Sequence, residues 1–304
     1  MLPRITALMV AMLFMVTTVF AQPVADLTVV DKTAQVEKII YGTEQTGSLV
    51  ERINKLEKDV YGAESQEALI KKADRLYTYT KETTETAPSL ILRINAIEWT
   101  LTHSQTNSNI KLRVDQLEQL LHGAPTPGAI DSRVAKLNKL AFSNNQPEVS
   151  TVEVAKDTLV KIKLLSALDT RKSRTGDVVA FQAVEDVYVN DLLVIAKGAP
   201  GTGKVTAVEQ AKNFGRDAKL EISFETVQAV DGNSLIVFLG EKAKEETRST
   251  AKAAGASVVG MAVLGPIGIV GGAFVHGKEI TIPAGAEMFI QTKETVSLYG
   301  IKVK

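Results

Sequence analysis

The chain has 304 residues, with 35 Lys and Arg balanced by 35 Asp and Glu, three His and no Cys. With no basic excess and no basic stripe interleaved with aromatics, nothing marks a nucleic-acid binder, and the absence of Cys excludes disulfides and thiolate metal sites. The length suits two domains stabilised by ordinary cores or by repetition.

Residues 1–21 read as a secretory signal. Met1 to Arg4 is a short basic head, Ile5 to Val19 is uncharged, and Val19 and Ala21 place small residues three and one before a cut ahead of Gln22. Cleavage removes Arg4 and leaves a net charge of −1. No Cys stands near the cut to carry a lipid, and an exported chain ordinarily meets no cytosolic ATP.

Residues 22–146 form a repeat with the pattern [R/K]-x-x-x-[L/I/V]-[E/N], often followed by glycine. Its copies are Lys32-Val36-Glu37-Gly42, Arg52-Leu56-Glu57-Gly62, a degenerate Lys72-Leu76, Arg93-Ile97-Glu98, Arg113-Leu117-Glu118-Gly123 and Arg133-Leu137-Asn138. First positions are 20, 20, 21, 20 and 20 residues apart, too regular for chance. Within a copy, Leu49, Ile53, Leu56 and Val60 fall on one helical stripe, as do Ile110, Val114, Leu117 and Leu121. The Arg and Glu flank this stripe on opposite sides, as charges that select a neighbouring helix do in coiled coils. Arg52, Glu57, Arg93, Glu98, Arg113, Glu118 and Arg133 are therefore the candidate repeat contacts, and the other carboxylates read as solvated faces. Gly62 and Gly123 fit left-handed C-caps, so each helix is short. A lone helix of about 12–15 residues is marginal in water, which predicts helical hairpins in a stack or pairing with copies from another chain. Such a module serves as a spacer or assembly rod, or as a binding surface for peptidoglycan or a partner protein. His103 and His122 belong to no catalytic or metal pattern.

After the polar linker "SNNQPEVS" the period changes to two, and residues 147–304 read as an antiparallel β-sandwich or barrel. Val160, Ile162 and Leu164 alternate with lysines, and Leu220, Ile222 and Phe224 with polar residues. Further strand runs are "DVVAFQAVEDVYV", "LLVIA", "GKVTAVEQA", "NSLIVFL", "EITI", "EMFIQT" and "VSLYGI". The fold class is thus α+β in two domains. Gly198 to Lys204 completes the pattern G-x-x-x-x-G-K of a phosphate-binding loop, but the next residue is Val205, where a hydroxyl would hold Mg²⁺. The stretch "LLVIAKGAPGTGKV" matches "ITIPAGAEMFIQ" as strand, Gly turn and strand, which makes Gly198 and Gly285 turn residues and Lys204 a solvent-facing strand residue.

The order of "TGDVVAFQAVEDVYVNDLLVIAKGAPGTGKV", "FGRDAKLEISFETVQAVDGNSLIV" and "ITIPAGAEMFIQTKETVSL" resembles the C-terminal barrel of the TrbI-like proteins, core-complex components of type IV secretion and conjugation machines. The matching turns are Ile195 to Gly198, Gly215-Arg216, Asp231-Gly232 and Ile282 to Gly285. The resemblance implies a periplasmic, ring-capable β domain near an outer membrane. Family members carry an uncleaved inner-membrane helix and a proline-rich stretch, whereas here a cleavable signal precedes a helical repeat, so coupling to cytoplasmic energy is not implied.

Between Gly232 and the last strands lies an insert, residues 241–277. The charged helical segment "EKAKEETRSTAK" leads into 23 uncharged residues, Ala253 to Val275. As one helix these would span about 34 Å against a hydrocarbon core of about 30 Å, but Gly265-Pro266 breaks the run. Gly255, Gly260, Gly268 and Gly272 favour close helix approach. Either each subunit offers a glycine-rich hairpin to a membrane, with Val258, Val259, Met261, Val263, Leu264, Ile267, Ile269, Val270 and Phe274 as candidate membrane contacts, or the segment is buried core of the β domain.

The sequence thus reads as an exported, non-enzymatic cell-envelope scaffold in the periplasm or at the outer membrane. It calls for protein partners or self-association and for neither cofactor, metal, nucleotide nor nucleic acid. The alternative is a membrane-associated, oligomeric transport or secretion component whose insert contacts the membrane.

Overall fold

The computed structural model describes residues 27–142, 146–211, 218–253 and 279–303. The signal segment, the Gly215-Arg216 turn and the nine candidate membrane contacts lie outside the described residues.

Six helices fill the first half: α1 (Val29–Tyr41), α2 (Leu49–Tyr61), α3 (Leu69–Lys81), α4 (Leu90–Thr102), α5 (Ile110–His122) and α6 (Ile130–Ala141). Their starts keep the 20-residue period of the sequence because local signals set both ends. Thr28 and Ser48 cap α1 and α2 in reciprocal boxes with Asp31 and Glu51, and Ser89 and Asn109 cap α4 and α5. Gly42, Gly62 and Gly123 close α1, α2 and α5 in the left-handed conformation, where a Cβ is disfavoured. The apolar stripe is buried, and Ile53, Leu56 and Val60 have no exposed surface. Each such side chain contributes about 1.5–3 kcal/mol of transfer free energy, which offsets the marginality of a thirteen-residue helix.

Contacts run beyond sequence neighbours. α1 packs on α3 and α5, α2 on α6, and α4 on α6, so one apolar core joins all six helices within a single chain. They fall into two triplets, α1–α3 and α4–α6.

The second half holds β1 (Val149–Val154), β2 (Leu159–Leu164), β3 (Leu168–Asp169), β4 (Val178–Ala183), β5 (Val187–Val189), β6 (Leu192–Ile195), β7 (Pro200–Glu209), β8 (Lys219–Gln228) and β9 (Ser234–Phe238). After α7 (Glu241–Ala253) come β10 (Thr281–Ile282), β11 (Glu287–Thr292) and β12 (Val296–Lys302). Six strands close into an antiparallel barrel in the order β11-β2-β4-β7-β8-β9, and a four-stranded sheet runs β1-β12-β6-β5. β1 was absent from the sequence reading, which left its first residues in the linker; its six-residue pairing with β12 draws it into the sheet. The run "DVVAFQAVEDVYV" divides into β4 of the barrel and β5 of the sheet.

The matched turns are structurally equivalent. Gly198 donates to the Ala183 carbonyl while Ala183 donates to that of Ala199, and Gly285 and Ala286 make the same reciprocal pair with Leu164. Both glycines have positive φ, +87° and +82°.

Candidate functional site

The phosphate-loop pattern is part of a sheet. Gly201 and Gly203 lie within β7, one facing the Phe181 ring and the other the Ser223 carbonyl, and no helix follows to present N–H groups. Lys204 pairs across the barrel surface with Glu225 at 2.5 Å. Among the described residues no group of three or more His, Cys, Asp or Glu could hold a metal ion.

The chemistry of the molecule is concentrated in two internal constructions. The first is a ladder of buried charge. The ninth residue of α1, α2, α4 and α5 is Glu37, Glu57, Glu98 and Glu118, and all four are buried; of these, Glu37 stood outside the candidate contacts, among the carboxylates expected on solvated faces. Each takes a backbone N–H eight residues on, from Gln45, Ser65, Thr106 and Thr126, and a cation fifteen residues on. Arg52 grips Glu37 through Nε and Nη2 at 2.9 and 2.6 Å, Arg113 grips Glu98 at 2.9 and 2.7 Å, and Arg133 grips Glu118 at 3.1 and 2.7 Å. Lys72, read as degenerate, fills the same place at 3.0 Å from Glu57, which Arg75 also contacts. Thus one carboxylate fixes the helix, its exit loop and the next helix together. Burial would push the Glu118 carboxyl up, but the Arg133 guanidinium and the Thr126 hydroxyl and N–H outweigh it and hold it down at about 2.

The cation also reads the residue eighteen positions back. Arg113 donates to Asn95 at 2.6 Å, Arg133 to Asp115 at 2.5 Å, and Lys72 to Asn54 at 2.9 Å. The sequence reading missed these residues. Their signal was present, since Asn54, Asp74, Asn95 and Asp115 stand two places after the repeated cation. Arg93 departs from the rule: α3 has Tyr77 where a Glu would stand. Arg93 instead lies 3.7 Å from Asp131 of α6 and over the Tyr79 ring, and its Nε is buried without a partner among the described residues.

The second construction is a clasp by which α4 holds the β half. The other helices bury one stripe, but α4 buries two. Ile94 and Ile97 enter the helical core, while Leu92 and Ala96, with Trp99, pack on Val149, Leu193, Ala196, Val230 and Ile301 of the four-stranded sheet and its neighbours. Asn95 Nδ2 donates to the Val230 carbonyl at 2.8 Å, and Trp99 Nε1 to Asp186 at 3.0 Å. Beyond α4, Gln105 N donates to the Lys197 carbonyl at 2.7 Å. Two glycines permit this approach. A Cβ on Gly198 would stand 2.1 Å from the Gln105 carbonyl oxygen, and one on Gly232 2.7 Å from Ile91. Beside Gly232, Asp231 is buried and accepts from Asn233 and from Tyr299 N at 3.1 Å; burial raises its carboxyl above the ordinary range. His103 caps α4 with a φ of 50° and meets Trp99 edge-on, whereas His122 ends α5.

α7 is seated on the barrel. Gln291 accepts from Ala243 N at 2.9 Å and Thr247 Oγ1 from Phe289 N at 2.9 Å, fixing the helix from which the apolar insert departs. No helix among the described residues is long and apolar enough to cross a membrane.

No family model matches this chain, and no curated protein does. A search of solved structures finds a similarity to ComB10 of the Com type IV secretion system of Helicobacter pylori, at 12% identity and a TM-score of 0.26. The match covers 47% of this chain and 88% of that one.

Proposed function

We propose that the chain is an exported, non-enzymatic scaffold of the cell envelope. The observation that carries this reading is the α4 clasp, in which Leu92, Asn95, Ala96 and Trp99 bind the helical repeat to the β half as one body. Arg52, Arg113, Arg133 and their carboxylates serve the same end, holding helices of one chain in a set order. The leader pattern of residues 1–21 supports export, and the repeat and barrel supply large surfaces for protein partners.

The 23 uncharged residues from Ala253 to Val275 favour a second reading, a membrane-associated oligomeric transport or secretion component. Flotation of the purified chain with liposomes, alongside a chain lacking residues 254–275, separates the two. The scaffold reading expects both chains to stay with the soluble fraction; lipid binding that depends on the segment establishes the second reading.

A further inference from the structure

We infer that the first triplet, α1–α3, is an exchangeable arm that a second copy of this chain can accept, giving a reciprocal dimer. The inference goes beyond the scaffold reading by naming the partner as another copy.

Three independent features mark the junction between α3 and α4. The buried ladder is broken there, for Tyr77 replaces the carboxylate and Arg93 turns to Asp131 of α6. The four other connections each begin with a left-handed residue, Gly42, Gly62, His103 or Gly123, which reverses the chain on the spot. α3 leaves instead through Glu82 at φ −89°, ψ 119°, an extended conformation. Finally, Pro88 biases Ala87 away from helical backbone, so the connection can straighten without strain.

The bonds inside residues 82–89 are local and neutral. Thr83 and Ser89 bond to each other, as do Thr84 and Ala87. What holds the arm is its face against the second triplet. Tyr79 donates to Asp131 at 2.5 Å, Gly42 abuts Asn109, Gly62 abuts Ala129, and the apolar core continues across. None of these contacts needs the arm to belong to the same chain. The second triplet is clasped to the barrel, so it remains in place as a socket when the arm leaves. In a dilute solution the tether favours the arm's own socket, and a hinge too short to fold back shifts the balance to exchange.

The test uses the full chain and a variant lacking residues 83–87, compared by light scattering and circular dichroism. The variant is expected to double its mass while keeping its helix content. A variant that stays monomeric, folded or with the arm's helix lost, overturns the inference. Because the chain has no Cys, exchange is also read by mixing a hinge-deleted Tyr79→Cys copy with a hinge-deleted Asp131→Cys copy and adding a short bis-maleimide. A bridged heterodimer is expected, and its absence overturns exchange. Neither negative result touches the scaffold reading, which the flotation experiment decides separately.

Discussion

At the residue scale the decisive fact is that the repeated Glu lies inside the molecule. A buried carboxylate is tolerated because both of its oxygens are bonded, by a loop N–H and by the cation fifteen residues on. Removing one member should therefore cost more than removing both. Arg133→Met leaves Glu118 buried without its cation and is expected to cost about 3–5 kcal/mol in urea unfolding. Adding Glu118→Gln, which retains an acceptor for Thr126 N, should recover most of that loss; if the double variant is as unstable as the single one, the pair is not the source.

The sign of the pH dependence follows from the same site. Glu118 is held below its ordinary value, so its contribution is fully present above about 4.5 and is lost as the pH falls toward about 2. Acid titration by circular dichroism should show a component of helix loss in that window that Glu118→Gln lacks. α6 ends the ladder with Asn138 in the carboxylate's place, and the residue fifteen on is Glu153. Glu153 is exposed on β1, so no cation follows α6 and the ladder stops there. Sequence spacing displayed this alternation of cation and carboxylate plainly, but not its burial, because an Arg and a Glu beside an apolar stripe look the same on a solvated face and in a closed interface.

At the scale of elements, α4 departs from its siblings. Its aligned neighbours carry polar residues where α4 has Ala96 and Trp99, and all but α5, which has an exposed Leu112, carry one in place of Leu92, as in Glu51, Lys55 and Lys58 of α2. The helix starts, caps and strand alternation were legible in the sequence because each rests on local chemistry. The clasp was not, since it joins α4 to Val230 and Lys197 far along the chain. Gly198 is its most sensitive point. Gly198→Ala incurs about 1–2 kcal/mol from left-handed backbone alone. It also drives a methyl into the Gln105 carbonyl, where neither backbone can yield cheaply. The expected result is an undocked helical half, reported by a red shift in the emission of Trp99, the one tryptophan. An unchanged spectrum in a folded variant contradicts the clasp. Asn95 belongs to both constructions, donating to Val230 and accepting from Arg113. Asn95→Ala should accordingly weaken docking and helix stability together, seen as a Trp99 shift with a lowered urea midpoint.

At the scale of the molecule, the barrel and the repeat each close on themselves, and the clasp makes them one body. Of the turn signatures that made the β half resemble TrbI-like barrels, the three among the described residues occupy turns: Gly198, Gly232 and Gly285 all have positive φ. They specify where the chain reverses.

A distance measurement tests the fixed relation of the two halves most directly. Spin labels at Leu120→Cys on α5 and Val178→Cys on β4, both exposed and in a chain without native Cys, can be read by pulsed electron resonance. A single narrow distance distribution, broadened by Gly198→Ala, is the predicted result. A broad distribution in the unaltered chain would show two independently moving halves and contradict the account.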